Sequence, residues 1–291
     1  MSDPVLLFGI GAAKAGTTWL YRYLAAHPDC ALRSIKELHF FDTVDDSKSR
    51  DFYLRDLDRK AEATARRIAG AEGDEQTDHI LHLADLQSYA RVLKSQDEAA
   101  YLAYLADTRG TARVVGEITP AYGLLPAQRL AHMARLSRDV RMVYLMRDPV
   151  DRLWSHVRMI ARRRSEDAAA AAALADVILD RVLSGREDHI ALRGDYRGVI
   201  EKLAEAVDPA RTFVCTCEDL FEGGALEALC DFLGIAPLPA DRLAPAHRGI
   251  AARMRPDQRA RAADFLRPQY DFVADRIGRL PPAWIANRAG G

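Results

Sequence analysis

The sequence is poor in lysine, cysteine and long apolar runs, and each shortage argues against a class of protein. Its 291 residues carry 41 Lys plus Arg against 42 Asp plus Glu, a net charge of −1. This balance argues against a broadly basic protein that coats nucleic acid. Four cysteines are too few for a disulfide framework in so long a chain. No apolar run reaches the ~18 residues of a membrane span.

The beginning of the chain superficially resembles a secretion signal. Residues 5–13 are apolar, and Ala13-Lys14-Ala15 looks like a small-residue cleavage site. A signal peptide carries basic residues before its apolar part, whereas the preceding residues here contain Asp3 and no basic side chain. We therefore interpret this run as a buried strand and expect a cytoplasmic protein with reduced thiols.

Short apolar runs alternate along the chain with segments of helical period. This alternation predicts an α/β protein with a central parallel sheet. The predicted strands are 5–10, 114–118, 141–146 and 212–216, and the predicted helices are 17–27, 81–107, 125–136, 168–183, 197–207 and 218–233. A further helix is predicted to open at Asp148, with an apolar stripe that runs to Ile160. Residues 43–80 lack a clear period and predict an irregular insertion with some helix. Cys215 and Cys217, two apart in an apolar run, are expected to share one face of a strand.

A small-residue loop containing one of only six lysines follows the first predicted strand, in the run Gly11-Ala-Ala-Lys14-Ala-Gly16-Thr17-Thr18. Backbone N–H groups of such a loop, and of the helix after it, bind phosphate groups. The usual phosphate loop has lysine directly after its second glycine, followed by the Ser or Thr that holds Mg²⁺. Here Lys14 precedes Gly16 by two residues. The alternative is a glycine-rich turn with a solvated lysine.

The segment Lys36-Glu37-Leu-His39-Phe-Phe-Asp places a cation, a carboxylate and an imidazole beside two aromatic residues. Apolar rings disfavour the charged form of a carboxylate, so we expect Glu37 to be a general base with a raised pKa. The alternative is an amphipathic strand end whose phenylalanines lie in the core.

The third motif runs Arg147-Asp-Pro-Val-Asp-Arg-Leu-Trp-Ser155. Arg147 leaves the carboxyl end of a predicted strand, where open α/β sheets bind ligands. Asp148 and Pro149 suit the start of a helix, which returns Ser155 to the same side two turns later. Arg147 and Ser155 could therefore hold one phosphate. The alternative is an ion pair of Arg147 with Asp148 or Asp151.

The order of these motifs, with Gly116-Glu-Ile-Thr-Pro-Ala-Tyr122 between the last two, resembles the sulfotransferase family that uses 3′-phosphoadenosine 5′-phosphosulfate (PAPS). The likeness is nearest to the carbohydrate, heparan-sulfate-type branch and its bacterial relatives. It covers residues 5–160 best and continues through Gly194-x-Tyr196, Glu218-Asp-Leu220 and Phe232-Leu-Gly234. The resemblance implies a P-loop-like three-layer α/β fold with helical insertions, forming a single domain over residues 1–291.

The resemblance also implies a reaction, in which a sulfuryl group moves in line from PAPS to an acceptor hydroxyl or amine. Adenosine 3′,5′-bisphosphate is the product, and no metal is required. Glu37 would be the base, Lys14 would neutralise the leaving phosphate, and Lys36 and His39 would orient Glu37 or the acceptor. The implied donor-binding residues are Lys14, Ala15, Gly16, Thr17, Thr18, Trp19 beside adenine, Arg147 and Ser155 on the 3′-phosphate, and Arg248 and Gly249 in a closing loop at 246–253.

Two other functions agree less well with the sequence. A small-molecule kinase is disfavoured because Lys14 is displaced and the Mg²⁺-binding residue after it is missing. A silent nucleotide-binding protein is disfavoured because Glu37 stands beside Lys36 and His39. The acceptor is expected to be a small molecule, a lipid or a saccharide, held by insertions at 43–110 and 160–195. Nucleic acid is not expected as a partner.

Overall fold

The chain folds around one sheet of five parallel strands flanked by helices, in the order β2-β3-β1-β4-β5. The computed structural model describes residues 3–239 and 252–289. The strands are β1 (Val5–Gly11), β2 (Cys30–Leu32), β3 (Val114–Ile118), β4 (Val140–Met146) and β5 (Thr212–Thr216). Every residue of β1 and β3 is buried, as expected for central strands covered on both faces. The predicted α/β class is therefore confirmed.

Fourteen helices are present in the described residues. They are α1 (Thr17–Ala25), α2 (Ser47–Ile68), α3 (Gly73–Ser95), α4 (Glu98–Ala106), α5 (Ala127–Met133), α6 (Pro149–Arg163), α7 (Ala168–Leu183), α8 (Asp188–Leu192), α9 (Tyr196–Ala206), α10 (Cys217–Glu222), α11 (Ala225–Leu233), α12 (Pro256–Phe265), α13 (Arg267–Ile277) and α14 (Pro282–Arg288). The start of α6 is as predicted, because Asp148 Oδ1 accepts a hydrogen bond from Asp151 N at 2.9 Å and Pro149 is the first helical residue.

Residues 43–80 were expected to form an irregular insertion with some helix; helix is present, but the expected irregularity was wrong. They form α2 and the start of α3, which pack along each other as a helical hairpin. Asp46 caps α2 by accepting from Lys48 N at 3.0 Å. Only Leu57 and Thr64 of α2 are buried, so the helix needs few apolar residues and leaves no clear period in the sequence.

The structure also differs from the sequence expectations at four other places. Strand β2 was missed because it has only three residues. The single helix predicted over 81–107 breaks at Gln96, whose left-handed φ of 55° ends α3. Cys215 and Cys217 do not share a strand face, because β5 ends at Thr216 and Cys217 begins α10. The helix predicted over 218–233 is likewise interrupted by two glycines between α10 and α11.

The topology brings all the sequence motifs to one edge of the sheet. Because the strands are parallel, the segments that follow them emerge at the same carboxyl edge. Those segments are the loop at 12–16, residues 33–42, residues 119–124, the start of α6 and the start of α10. Most of the cavity lining comes from these five connections and from the helices beside them.

Candidate active site

One cavity of about 1550 Å³ lies at the carboxyl edge of the sheet. The first and third sequence motifs meet there, together with the Lys36–His39 segment. The predicted site residues that line it are Lys14, Gly16, Thr17, Thr18, Trp19, Lys36, Glu37, His39, Arg147 and Ser155. Ala15 is fully buried beneath the loop. The cavity is therefore large enough for a nucleotide and a second molecule, which a group-transfer reaction requires.

The loop at 12–16 turns its backbone donors toward the cavity. Lys14 and Gly16 have positive φ angles of 72° and 86°, and a β-carbon on Gly16 would lie 3.3 Å from the Phe221 ring. Gly16 precedes α1 without a side-chain cap. Within the described chain, the N–H groups of Gly16, Thr17 and Thr18 have no backbone acceptor. These donors and the positive end of the helix suit an anion.

Lys14 lies in a strongly cationic environment. Burial lowers its pKa, and the nearby cations of Arg147 and Arg163 lower it further. A half-buried ammonium group among other cations is costly until an anion binds. The arrangement therefore favours a ligand with several negative charges close to Lys14.

Glu37 lies between a cation and an imidazole. Lys36 Nζ is 2.5 Å from Glu37 Oε1, and His39 Nε2 is 3.6 Å from Glu37 Oε2. The other imidazole nitrogen, His39 Nδ1, lies 2.8 Å from Asp42 Oδ2. The Glu37 side chain is 42% exposed, so its carboxylate is open to a ligand in the cavity.

The expected raised pKa of Glu37 is wrong. Burial alone would raise it, but the contact with His39 and the charge of Lys36 lower the pKa of Glu37 to about 2. The pKa of His39 shifts in the opposite direction. Burial lowers it, but the carboxylates of Asp42 and Glu37 stabilise the protonated ring and raise the pKa of His39 to about 9. The phenylalanines beside Glu37 turn into the core, where Phe40 is fully buried and Phe41 nearly so. Their rings therefore do not desolvate the carboxylate as the sequence suggested.

Glu117, a buried carboxylate on β3, is hydrogen-bonded to the backbone of the segment that carries Glu37. Glu117 is 3% exposed and accepts four hydrogen bonds. The donors are Leu38 N at 3.1 Å, Thr119 Oγ1 at 2.5 Å, Tyr122 Oη at 2.7 Å and Tyr101 Oη. Burial raises the pKa of Glu117, while these four donors oppose that shift by stabilising the carboxylate.

Two of these hydroxyl groups also accept hydrogen bonds from the backbone of the Glu37 segment. Thr119 Oγ1 accepts from His39 N at 3.5 Å, and Tyr122 Oη accepts from Phe40 N at 2.9 Å. Three consecutive N–H groups thus bind Glu117 directly or through one hydroxyl. Glu37 and His39 have positive φ angles of 67° and 58°, which non-glycine residues adopt only under such constraint. Sequence reasoning assigned Glu117 no role, although a charged residue in a buried strand was a signal.

Arg147 is held by its backbone, which leaves its side chain free to face the cavity. Tyr196 Oη donates to Arg147 O at 2.6 Å and accepts from Arg147 N at 3.3 Å. The alternative ion pairs do not form: Asp148 caps α6, and Asp151 pairs with Arg259 at 3.1 Å. In the described residues, Arg147 has no carboxylate within ion-pair distance. Ser155 lies on the face of α6 that lines the same cavity.

Two aromatic residues lie at the Gly16 end of the cavity. The Trp19 ring stacks on Tyr23 with centroids 5.4 Å apart, and it is only 6% exposed. Phe221 meets Trp19 edge-on at 4.9 Å and is 49% exposed. Phe221 was not predicted, and it offers a flat ligand much more open ring surface than Trp19 does.

The expected insertions both contribute to the cavity wall. Residues 43–110 supply Phe52, Tyr53 and other residues of α2, and residues 160–195 supply Arg163, His189 and Arg193. Arg248 and Gly249, predicted to close over the donor, lie outside the described residues. In the described ranges no three His, Cys, Asp or Glu side chains converge as a metal site requires. None of the described helices has the length and apolarity needed to cross a bilayer.

Comparisons with known proteins agree with this architecture. A search of curated proteins found no match. The solved sulfotransferase from Alicyclobacillus acidocaldarius is 23% identical, covers 98% of this chain and 99% of its own, and superposes with a TM-score of 0.62. The sulfotransferase domain of the Synechococcus PCC 7002 olefin synthase is 19% identical over 91% of this chain and 96% of its own, with a TM-score of 0.51.

A third solved structure, the sulfotransferase domain from the curacin biosynthetic pathway, is 18% identical over 85% of this chain and 80% of its own, with a TM-score of 0.50. At these identities the three structures support the fold. The sequence pattern of the sulfotransferase family matches residues 4–239, which include every motif that lines the cavity in the described residues. The chain belongs to the sulfotransferase family.

Proposed function

We propose that the protein transfers the sulfuryl group of PAPS to a hydroxyl or amine of a small-molecule, lipid or saccharide acceptor. The observation that carries this proposal is the meeting of Lys14, the Lys36–Glu37–His39 group and Arg147 in one cavity. Anion-binding groups and a candidate base at one site suit transfer of an anionic group to a neutral nucleophile.

The fit of the donor is supported at three places. Free backbone donors at Gly16 and Thr17 and the ammonium of Lys14 suit the 5′-phosphosulfate. Arg147, without a carboxylate partner in the described chain, suits the 3′-phosphate together with Ser155. Phe221 and the exposed part of Trp19 lie beside the same loop and suit a purine ring.

In the proposed reaction the acceptor oxygen forms a bond to sulfur while the bond from sulfur to the bridging phosphate oxygen breaks. The proton of the acceptor hydroxyl goes to Glu37, and the electron pair of the broken bond stays on the phosphate. Lys14 neutralises the charge that develops there. Lys36 and His39 keep Glu37 ionised at neutral pH, and the same contacts make it a weaker base than an ordinary carboxylate. We propose that this step needs no metal, because charge neutralisation and alignment suffice.

The remaining expectations belong to the same proposal. One domain carries the whole site, with 43–110 and 160–195 forming the acceptor side of the cavity. The reaction takes place in the cytoplasm, and four buried, unpaired cysteine thiols suit such a reducing compartment. The displaced Lys14 favours this function over a kinase that uses Mg-ATP.

The test is a screen of hydroxyl and amine compounds with PAPS labelled on its sulfur. We expect label to move to at least one acceptor with release of adenosine 3′,5′-bisphosphate. A Lys14→Ala variant, tested on the same acceptor, should lose the transfer. Transfer of the γ-phosphate of ATP to the same compounds, without use of PAPS, would contradict the proposal.

A further inference from the structure

The wall of the cavity made by α6 and α8 contains a guanidinium that is buried without a carboxylate. Arg152 is 1% exposed, and its Nη2 donates to Ile190 O at 3.2 Å. A β-carbon on Gly194 would lie 2.5 Å from this guanidinium, so a larger residue there would displace the Arg152 side chain. In the described residues no acidic side chain pairs with Arg152. Burying an unpaired cation is costly, and burial lowers the pKa of Arg152.

Arg152 fixes the state of a histidine in the cavity wall. Arg152 Nη1 lies 3.5 Å from His156 Nδ1. Since arginine only donates, Nδ1 must accept, and the proton of the neutral ring is on Nε2. His156 is 2% exposed, yet it lines the cavity. Burial and the cations of Arg152 and Arg193 lower the pKa of His156 to about 2, so the ring stays a neutral donor.

A second guanidinium joins His156 at this wall. Arg193 lines the cavity and donates through Nη1 to the carbonyl of His189 at 2.8 Å. In the described chain Arg193 has no carboxylate within ion-pair distance. The nearby carboxylate of Glu187 is already engaged by Arg164 at 2.8 Å and by His189 at 3.3 Å.

This wall and the Glu37 segment line one cavity, and Tyr53 of α2 lies between them in the lining. The Tyr53 ring stacks on His39 with centroids 4.0 Å apart. The cation of Arg193 acts on Tyr53, where it opposes the rise in the Tyr53 pKa that burial causes. Glu37, Arg193 and His156 line the same cavity, so an acceptor with its hydroxyl group at Glu37 can reach Arg193 and His156 with another part of the molecule.

We propose that His156 and Arg193 form a subsite for an anionic group of the acceptor. This inference rests on the proposed function and narrows its acceptor to hydroxyl or amine compounds that carry an oxyanion. A carboxylate or a sulfate or phosphate ester would satisfy the Nε2–H of His156 and the guanidinium of Arg193. It would also supply the counter-charge that Arg152 lacks.

The binding test uses crystals of the protein saturated with adenosine 3′,5′-bisphosphate, which occupies the proposed donor contacts. Crystals are soaked in selenate, which represents a sulfate or phosphate ester, or in 4-bromobenzoate, which represents a carboxylate. We expect anomalous density beside His156 and Arg193 from at least one probe, and the probe that binds identifies the source of the oxyanion. The Arg193→Gln variant should lose this density.

The matched control is Arg59→Gln, which removes a cavity-lining guanidinium that is already paired with Asp56 at 3.0 Å. It should leave the density unchanged. Density from neither probe, or density that persists in Arg193→Gln, would overturn the subsite.

A transfer assay separates this inference from the proposed function. Labelled PAPS is offered with 4-(2-hydroxyethyl)benzoate or with its methyl ester. We expect the acid to be used at least roughly tenfold better than the ester, as a lost charge-assisted contact predicts, and Arg193→Gln to remove the preference. Equal use of both would overturn the subsite. Anion density without transfer to any acceptor would support the subsite and count against the proposed function.

Discussion

The backbone N–H of Leu38 donates to the buried carboxylate of Glu117 across 3.1 Å. This bond joins the central sheet to the segment that carries Glu37. It is one of four that Glu117 accepts, and two of the donors pass the contact on to His39 and Phe40. The position of the proposed base therefore depends on a residue that does not line the cavity.

Glu117→Gln should move the Glu37 segment and weaken the fold. The glutamine side chain has one N–H₂ group in place of a carboxylate oxygen, and this group faces hydroxyl or N–H groups that donate to Glu117. Buried donors are then left without an acceptor. We expect a loss of roughly 2–4 kcal/mol of unfolding free energy and a large loss of transfer. The affinity for adenosine 3′,5′-bisphosphate should stay within a few-fold of that of the unmodified chain, because the Lys14 loop follows a different strand, β1.

Tyr101→Phe is the graded control for Glu117, because it removes one of the four donors and leaves the links to residues 38–40 intact. Tyr101→Phe should lower the free energy of unfolding less than Glu117→Gln does, and it should leave the transfer rate nearly unchanged. Denaturant unfolding, calorimetric binding and transfer are measured on both variants. Normal transfer in a folded Glu117→Gln variant would show that Glu117 does not position the base.

Glu37→Gln should keep donor binding but lose transfer, since removal of a general base typically costs about 10²–10⁴-fold. Glu227→Gln is a matched control, because Glu227 also lines the cavity but lies on α11. Its rate should be close to that of the unmodified chain. Near-normal turnover by Glu37→Gln would remove Glu37 as the base.

Arg147→Ala should weaken binding of adenosine 3′,5′-bisphosphate by roughly tenfold or more, as loss of a charge-assisted contact predicts. Binding of adenosine 5′-monophosphate, which lacks the 3′-phosphate, should change much less. Ser155→Ala should show the same selectivity with a smaller effect. Equal losses for both nucleotides would refute the 3′-phosphate role of Arg147.

The His39 ion pairs should make stability depend on pH. The pKa of His39 is raised from 6.5 to about 9 in the folded protein. The protonated ring therefore stabilises the fold fully below pH 6.5, and this contribution is lost as the pH rises through 9. A pKa shift of this size corresponds to a contribution of at most about 3 kcal/mol to the free energy of unfolding.

The measurement is denaturant unfolding of the unmodified chain and of His39→Gln at pH 6, 7.5 and 9.5. The difference between them should shrink toward pH 9.5. A difference that is constant across this range would rule out a raised pKa at His39.

The sequence was informative where chemistry depends on short, ordered motifs. The loop at Lys14 and the capped start of α6 were predicted because Gly16 and Asp148 carry local conformational signals. Helix α2 was missed because it buries little and shows no apolar period. Strand β2, with three residues, is too short to leave a pattern.

The electrostatics of the site could not be predicted from the sequence. The neighbouring phenylalanines suggested a desolvated Glu37, whereas the positive φ angles at Glu37 and His39 fold the charged side chains together and turn the rings inward. The contacts of Glu117 link residues about 80 positions apart, and no local pattern reveals them. The position of Arg152, which has no carboxylate partner in the described residues, likewise emerges only from three-dimensional packing.

The most direct test of the central claim is a calorimetric titration of the protein with adenosine 3′,5′-bisphosphate and, separately, with Mg-ATP. It needs no knowledge of the acceptor. The proposed sulfotransferase should bind the bisphosphate tightly, lose that affinity in Lys14→Ala and Arg147→Ala, and show no binding of Mg-ATP. Tight binding of Mg-ATP with none of the bisphosphate would contradict the account.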